Sequence, residues 1–354
     1  VTDLYNLKLF QKAFALRMAL ALRVGHTDQA WINLRAVTVL ATQYEPGPLE
    51  QAQLFRTMLV RQAFATTWEA LQTNVWTDRQ LAELMTHWSH VEFFRGTPAA
   101  AELETAQMLA KVAALRVLYR TNSVVSSELL PLLRQARSRP GEAWERLKDL
   151  TSRAAIERDY LQRISYLDEV RFIQFYRERE LEWRRAVALP NWLAMRSSPG
   201  VTNPAVFQHT TDWGSEIQSV VTQRLWSQAF EFSVSGGGWP TLIAHNAEAE
   251  ASRRVLLTAL AVERVRLRTG RMPATLAEVP GAEADFVTGT PLHYRPETGG
   301  YVIYSVGLDT EDDEGKMLPS HRDLSEPSQL KFDLVWPRAA TAEEIARMPK
   351  LRSY

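Results

Sequence analysis

Residues 252–268 read as one helix with no breaker inside it, and the residues just after it cannot extend that helix. The run Ser252 to Arg268 meets Thr269-Gly270-Arg271-Met272-Pro273. Gly270 serves as a left-handed C-cap, and Pro273 comes three residues later. A short helical turn is expected over Thr275 to Val279. His293-Tyr294-Arg295 and Tyr301 to Val306 have strand composition, and the Glu297-Thr298-Gly299-Gly300 stretch between them marks a hairpin turn. Phe332 to Trp336 reads as a third strand, stopped by Pro337, and Thr341 caps a last short helix. The spacing therefore predicts an α+β tail, a long helix whose face a small three-stranded antiparallel sheet covers.

Everything upstream reads as helix. Leu4, Leu7, Phe10/Gln11, Phe14, Met18 and Leu22 keep helical spacing up to Gly25, and Thr27-Asp28 can cap a second helix through Trp31, Leu34, Val37 and Leu40. Glu45-Pro46-Gly47-Pro48 is a break. Residues 49–74 form a third helix, Thr77-Asp78 starts a fourth, and a fifth runs over about 99–120. No fixed 34-residue period is present, so irregular helical hairpins are expected instead of a solenoid. Between Glu142 and Arg185 stand ten acids and ten bases. Glu142/Arg146, Asp149/Arg153, Asp159/Arg163 and Glu180/Arg184 have the i,i+4 spacing of a solvated helix face. An irregular stretch from Pro190 to Asp212 precedes a helix over Ser215 to Phe232. The Gly236-Gly237-Gly238 run reads as a linker.

Composition excludes several functions. Lys+Arg and Asp+Glu both number 41, so nothing global draws the chain to nucleic acid. There is no cysteine, which removes disulfides, thiolate nucleophiles and Cys-based metal sites. No window of about 18 uncharged apolar residues exists. The most apolar early segment, Ala13 to Val24, is interrupted by Arg17 and Arg23. Attachment to a membrane is therefore expected only through an anchor upstream of Val1. Gly236-Gly237-Gly238 lacks the Lys and Ser/Thr of a phosphate loop, and no Gly-x-Ser-x-Gly is present.

The tail resembles the soluble half of type II secretion major pseudopilins. The residues that carry the resemblance are the long helix, Gly270-Arg-Met-Pro, the Leu276 turn, Gly289-Thr-Pro-Leu-His-Tyr, Gly300-Tyr-Val-Ile-Tyr-Ser-Val-Gly and the acidic loop after it. It is similar also to planctomycete and verrucomicrobial-type proteins in which a helical N-terminal region precedes such a tail ending in Asp-Ile/Leu-Val-Trp-Pro. The resemblance spans residues 250–337; the helical region matches in style alone. One departure is plain. Pseudopilins open on an apolar, cleaved segment, whereas Glu248, Glu250, Arg253 and Arg254 make the first turns here polar.

In major pseudopilins the loop after the Tyr-Ser-x-Gly strand binds calcium. The resemblance carries that role to Asp309, Asp312 and Asp313, with Asp333 approaching from the closing strand. Calcium takes six to eight hard oxygens, which clustered carboxylates and backbone carbonyls provide. The bland alternative is a solvated acidic loop neutralised by Lys316 or Arg322. His87 and His90 stand at i,i+3 with Glu92 nearby, but a third ligand is lacking, so ordinary surface histidines are the better reading. His245-Asn246 after the glycine run suggests at most a loop site.

The expected fold is mainly α. A helical-hairpin domain covers residues 1–235, a Gly-rich linker 236–247 and a pseudopilin-like α+β domain 248–354. The expected function is that of a non-enzymatic interaction or structural protein at the bacterial envelope, with a protein partner and no nucleic acid. The location is periplasmic or membrane-tethered in preference to cytoplasmic. Two alternatives stand: a small-molecule binder or enzyme with a pocket between the helices and the tail, and a secretion or pilus subunit.

Overall fold

A computed structural model describes residues 2–47, 50–121, 131–136, 138–159, 165–199, 201, 238–315 and 333–336. The protein is mainly helical with a small three-stranded antiparallel sheet. The helices are α1 (Thr2–Arg23), α2 (Thr27–Thr42), α3 (Glu50–Leu71), α4 (Asp78–Ser89), α5 (Thr97–Thr121), α6 (Pro140–Asp159), α7 (Ser165–Val187), α8 (Trp192–Arg196) and α9 (Gly238–Thr269). A 3-10 turn at Leu276–Glu278 leads to β1 (His293–Glu297), β2 (Gly300–Ser305) and β3 (Leu334–Trp336).

The chain divides into two compact units. One contains Val1–Thr97, Val187–Ser197 and Thr241–Tyr354; the other contains Pro98–Ala186 and Ser198–Pro240. This is not the division expected from sequence order. The N-terminal helices and the α+β tail share one core, in which Met18, Leu34, Leu59, Leu84 and Trp88 join Leu256, Leu260, Ile303 and Trp336. The expected linker differs as well. Residues 238–247 are the first turns of α9, and Leu242, Ile243 and Ala247 are fully buried there. Burial of those apolar side chains outweighs the helix-breaking tendency of the glycine run that precedes them.

In the first unit, Met18 and Ala21 of α1, flanked by Phe14 and Leu22, give the three- and four-residue spacing of an inward stripe. Its end closes at Gly25, where the His26 amide donates to the Ala21 carbonyl at 2.8 Å. The expected Thr27-Asp28 cap does not form. His26 is the N-cap residue of α2 and makes no side-chain cap. Helix α4 has the stronger start, since Thr77 and Gln80 form a reciprocal capping box.

Helix α9 runs 32 residues, about 48 Å at 1.5 Å per residue. From Leu242 to Val265 nearly every residue is buried; Arg253, Arg254 and Arg264 are the half-buried ones. A helix covered this completely is the axis of a unit, not a surface element. It ends as the sequence predicts, at Gly270 with φ +72°. The sheet order is β1-β2-β3, with Tyr294 opposite Ile303 and Ile303 opposite Trp336. The hairpin turns at Gly299, φ +84°, where a left-handed residue is required. Tyr301 and Ile303 join the core shared with α9, and Val302 and Tyr304 on the other face of β2 are buried too. Trp336, fully buried, meets Phe64 of α3 edge to face at 5.1 Å.

Within the expected irregular stretch after Pro190, α8 forms a single turn capped by Asn191, whose oxygen accepts from the Ala194 amide. The amides of Trp192 and Leu193 donate to the carbonyls of Phe286 and Val287, both at 2.9 Å, which fixes α8 on the loop before β1. In the second unit Glu180 pairs with Arg184 at 2.7 Å, as expected, and Arg184 also reaches Glu102 of α5. Glu142 pairs instead with Arg139, because Arg146 turns to Gln135. Asp159/Arg163, the helix expected over Ser215 to Phe232 and the one at Thr341 lie outside the described residues.

The shared core predicts that Trp336→Ala costs about 3–5 kcal/mol. A denaturant titration should show this loss as a shift of the transition that also unfolds α1–α4. A Phe64→Ala/Trp336→Ala cycle should be non-additive. A Trp336 variant that leaves the α1–α4 transition unmoved would show that the tail folds separately.

Candidate functional site

The acidic loop follows β2 and is closed by two non-glycine residues with positive φ, Thr310 and Glu314. Two of its carboxylates each give one oxygen to the loop's own backbone. Asp309 Oδ1 accepts from the Glu311 amide at 3.2 Å, and Asp312 Oδ1 accepts from the Glu314 amide at 2.8 Å. Asp333, on the far side, accepts the Gly315 amide through Oδ2 at 2.7 Å. The Asp309 carbonyl and the Thr310 hydroxyl both accept from Arg196 of α8 at 2.8 Å.

Asp333 is buried, and among the described residues its Oδ1 has no hydrogen-bond partner. Burial holds its carboxyl above the usual range, against the Gly315 and Asp313 amides and reinforced by Asp312 and Asp313. Tyr304, stacked on His293 with ring centroids 4.6 Å apart, is pushed up to about 12 by burial and then by Asp312. The structure thus brings Asp312, Asp313, Asp333 and Tyr304 into one electrostatic neighbourhood. It does not make a calcium cage: among the described residues no three His, Asp or Glu side chains converge on a common centre. Of the expected ligand set Asp309, Asp312, Asp313 and Asp333, the first two each place one oxygen on an amide of their own turn, and Asp333 places one on Gly315.

The other flagged histidines also have ordinary surroundings. His90 Nδ1 lies 2.7 Å from the Thr86 carbonyl at the exposed end of α4. His245 sits inside α9, not in a loop, 3.1 Å from Arg61 Nη2. Arg61 of α3 also pairs with Glu248. Glu250 takes Arg253 at 2.7 Å and Arg254 at 2.9 Å. The stretch Glu248 to Arg254 of α9, expected to be polar, is buried or half-buried, and its charges are paired.

One surface was missed in the sequence. Helix α1 carries a second apolar arc on its outward side: Leu9, Phe10, Leu16, Leu20 and Val24 are all exposed, Leu16 at 73% and Leu20 at 62%. At 100° per residue these side chains and Ala13 cover about 120° of the helix circumference. Lys12 and Arg23 flank one edge, Arg17 stands near the other, and all three are exposed. Among the described residues none of the three has an ion-pair partner. The signal was present in the run Ala13 to Val24, whose arginines read as interruptions although they border an outward face.

Comparison of the chain with protein-family models, with curated proteins and with solved structures finds no match.

The raised carboxyl of Asp333 has a defined pH signature. A folded-state pKa above the unfolded one stabilises the fold at pH below the ordinary Asp value, and that contribution disappears as pH rises through the folded value. Asp333→Asn removes the penalty of the ionised form. Its melting temperature should exceed that of the wild type near neutral pH, and the gap should close below about pH 4. Thermal melts across that range check this; a variant less stable at neutral pH contradicts it. Calcium against chelator should leave the wild-type midpoint unmoved, whereas a bound ion would raise it by mass action.

Proposed function

We propose that the chain is a non-enzymatic interaction protein of the bacterial envelope that lies against an anionic lipid surface through the outward face of α1. The observation that carries this reading is the exposed apolar arc with basic residues at its borders. A helix of this kind rests in the plane of a membrane interface, with its apolar side chains among the acyl boundary and its Lys and Arg at the headgroups. Each basic residue near an anionic surface contributes about 1 kcal/mol. The inward stripe of the same helix is held in the core, so α1 presents a rigid face that needs no refolding to dock.

No described helix is long and apolar enough to cross a membrane, so the face acts at the surface and not as a span. The order long helix, 3-10 turn, hairpin and closing strand supports a pseudopilin-like reading of the tail. A filament subunit is the weaker reading. The first half of α9, which such a subunit would need free for assembly, is buried by the unit's own helices.

Flotation with vesicles of phosphatidylcholine containing about one-third phosphatidylglycerol tests the proposal. The wild type should float with them, less so at high salt and not with pure phosphatidylcholine. Leu16→Glu/Leu20→Glu should abolish flotation without lowering the melting temperature, since both side chains are exposed. Failure of the wild type to float, or flotation that survives the double substitution, sinks the reading. In that case the arc is the seat of an acidic amphipathic helix from a protein partner.

A further inference from the structure

Far along α9 from its N-terminal ion pairs, a cleft of about 240 Å³ opens between the end of α3 and the β1–β2 turn. Its polar wall is made by Gln72, Asn74, Glu263 and Arg266, and Met272 and Trp336 supply apolar surface. Arg266 Nε donates to Glu263 at 2.7 Å, and Nη2 donates to Asn74 Oδ1 at 2.9 Å. The two charges cancel inside the cleft, but hydrogen-bonding capacity remains. Among the described residues, Arg266 Nη1 and the Asn74 amide nitrogen have no partner. Gln72 gives its amide to the Trp68 carbonyl at 2.8 Å, which leaves its oxygen as an acceptor.

The buried Tyr301 hydroxyl completes the wall. It donates to the Ala259 carbonyl at 3.3 Å, with Glu263 beside it. Burial first, and then the Glu263 charge, hold this phenol well above its ordinary value. It therefore remains a neutral hydrogen-bonding group at physiological pH.

We infer that this cleft binds a neutral polyhydroxylated molecule the size of one hexose ring. A charged ligand would compete for the Glu263–Arg266 pair and strand one partner, a heavy cost for a carboxylate as buried as Glu263. Hydroxyl groups, each both donor and acceptor, match the unspent donors of Arg266 and Asn74 and the acceptors of Gln72 and Glu263 without breaking that pair. The volume is below the roughly 300–1,000 Å³ of drug-sized pockets, which limits the occupant to a single ring. The inference is independent of the lipid-surface reading, because α1 contributes no residue to the cleft.

Calorimetric titration of the full chain with glucose, galactose, mannose and N-acetylglucosamine tests it, alongside Gln72→Ala and Asn74→Ala. Both side chains are exposed, so the variants should keep the wild-type melting temperature. The expected result is saturable binding of at least one of these sugars, weakened about tenfold by each substitution. No saturable binding of any of the four at millimolar concentration overturns the inference. So does binding unchanged in both variants, or saturable binding of the zwitterion alanine in place of the sugars.

Discussion

Pairing of charges inside a nearly enclosed helix is the constraint on which the first unit depends. Between Leu242 and Arg266, α9 has little solvent to face, yet it carries Glu248, Glu250, Arg253, Arg254, Glu263, Arg264 and Arg266. An unpaired charge in such a position costs several kcal/mol, and removing one partner of a buried pair is correspondingly destructive. The structure answers this in two ways. Glu250 with Arg253 and Arg254, and Glu263 with Arg266, are settled within the helix at i,i+3 and i,i+4. Glu248 and Arg264 are settled across elements, by Arg61 of α3 and Asp78 of α4. These cross-element pairs require the N-terminal helices to be in place, so the α+β tail is built into the helical region and is not appended to it.

The same architecture separates the functional surfaces. The sheet meets α9 through Tyr301, Ile303 and Trp336, and α3 and α4 meet it through Arg61, Asp78 and Trp88. With its inward stripe spent on that core, α1 has a second, outward apolar arc that the core does not use. That exposed arc, with Lys12, Arg17 and Arg23 beside it, is the surface on which the proposed docking rests. The cleft at the other end of the helix arises where α3 stops and the hairpin turns, leaving polar side chains facing a gap that neither element fills.

The acidic loop shows why a fold-level analogy does not by itself carry a site's chemistry. Three aspartates within five residues suggest a cation site when only their spacing is known. Once φ is positive at Thr310 and Glu314, the tight turns bring backbone amides to Asp309 and Asp312, and each amide takes one oxygen of its carboxylate. Asp333 keeps one buried oxygen, Oδ1, without a hydrogen-bond partner among the described residues.

Local features were legible in the sequence because they depend on a few neighbouring residues. The approximate extents of α1–α5, the Gly270 cap, the hairpin at Gly299 and the three short strands follow from turn residues and periodicity, although the cap expected at Thr27-Asp28 does not form. The one-turn helix α8 was missed, since five residues carry no period and only Asn191 hints at a cap. What tertiary structure alone decided was which side chains are inside. Glu248 and Glu250 read as a polar helix start and are interior; Leu16 and Leu20 read as an apolar run and are exposed. Residues 238–247 read as a linker and are core helix. Burial is set by elements far apart in the chain, so one helix's pattern can show that it has an apolar stripe without showing which neighbours will cover it.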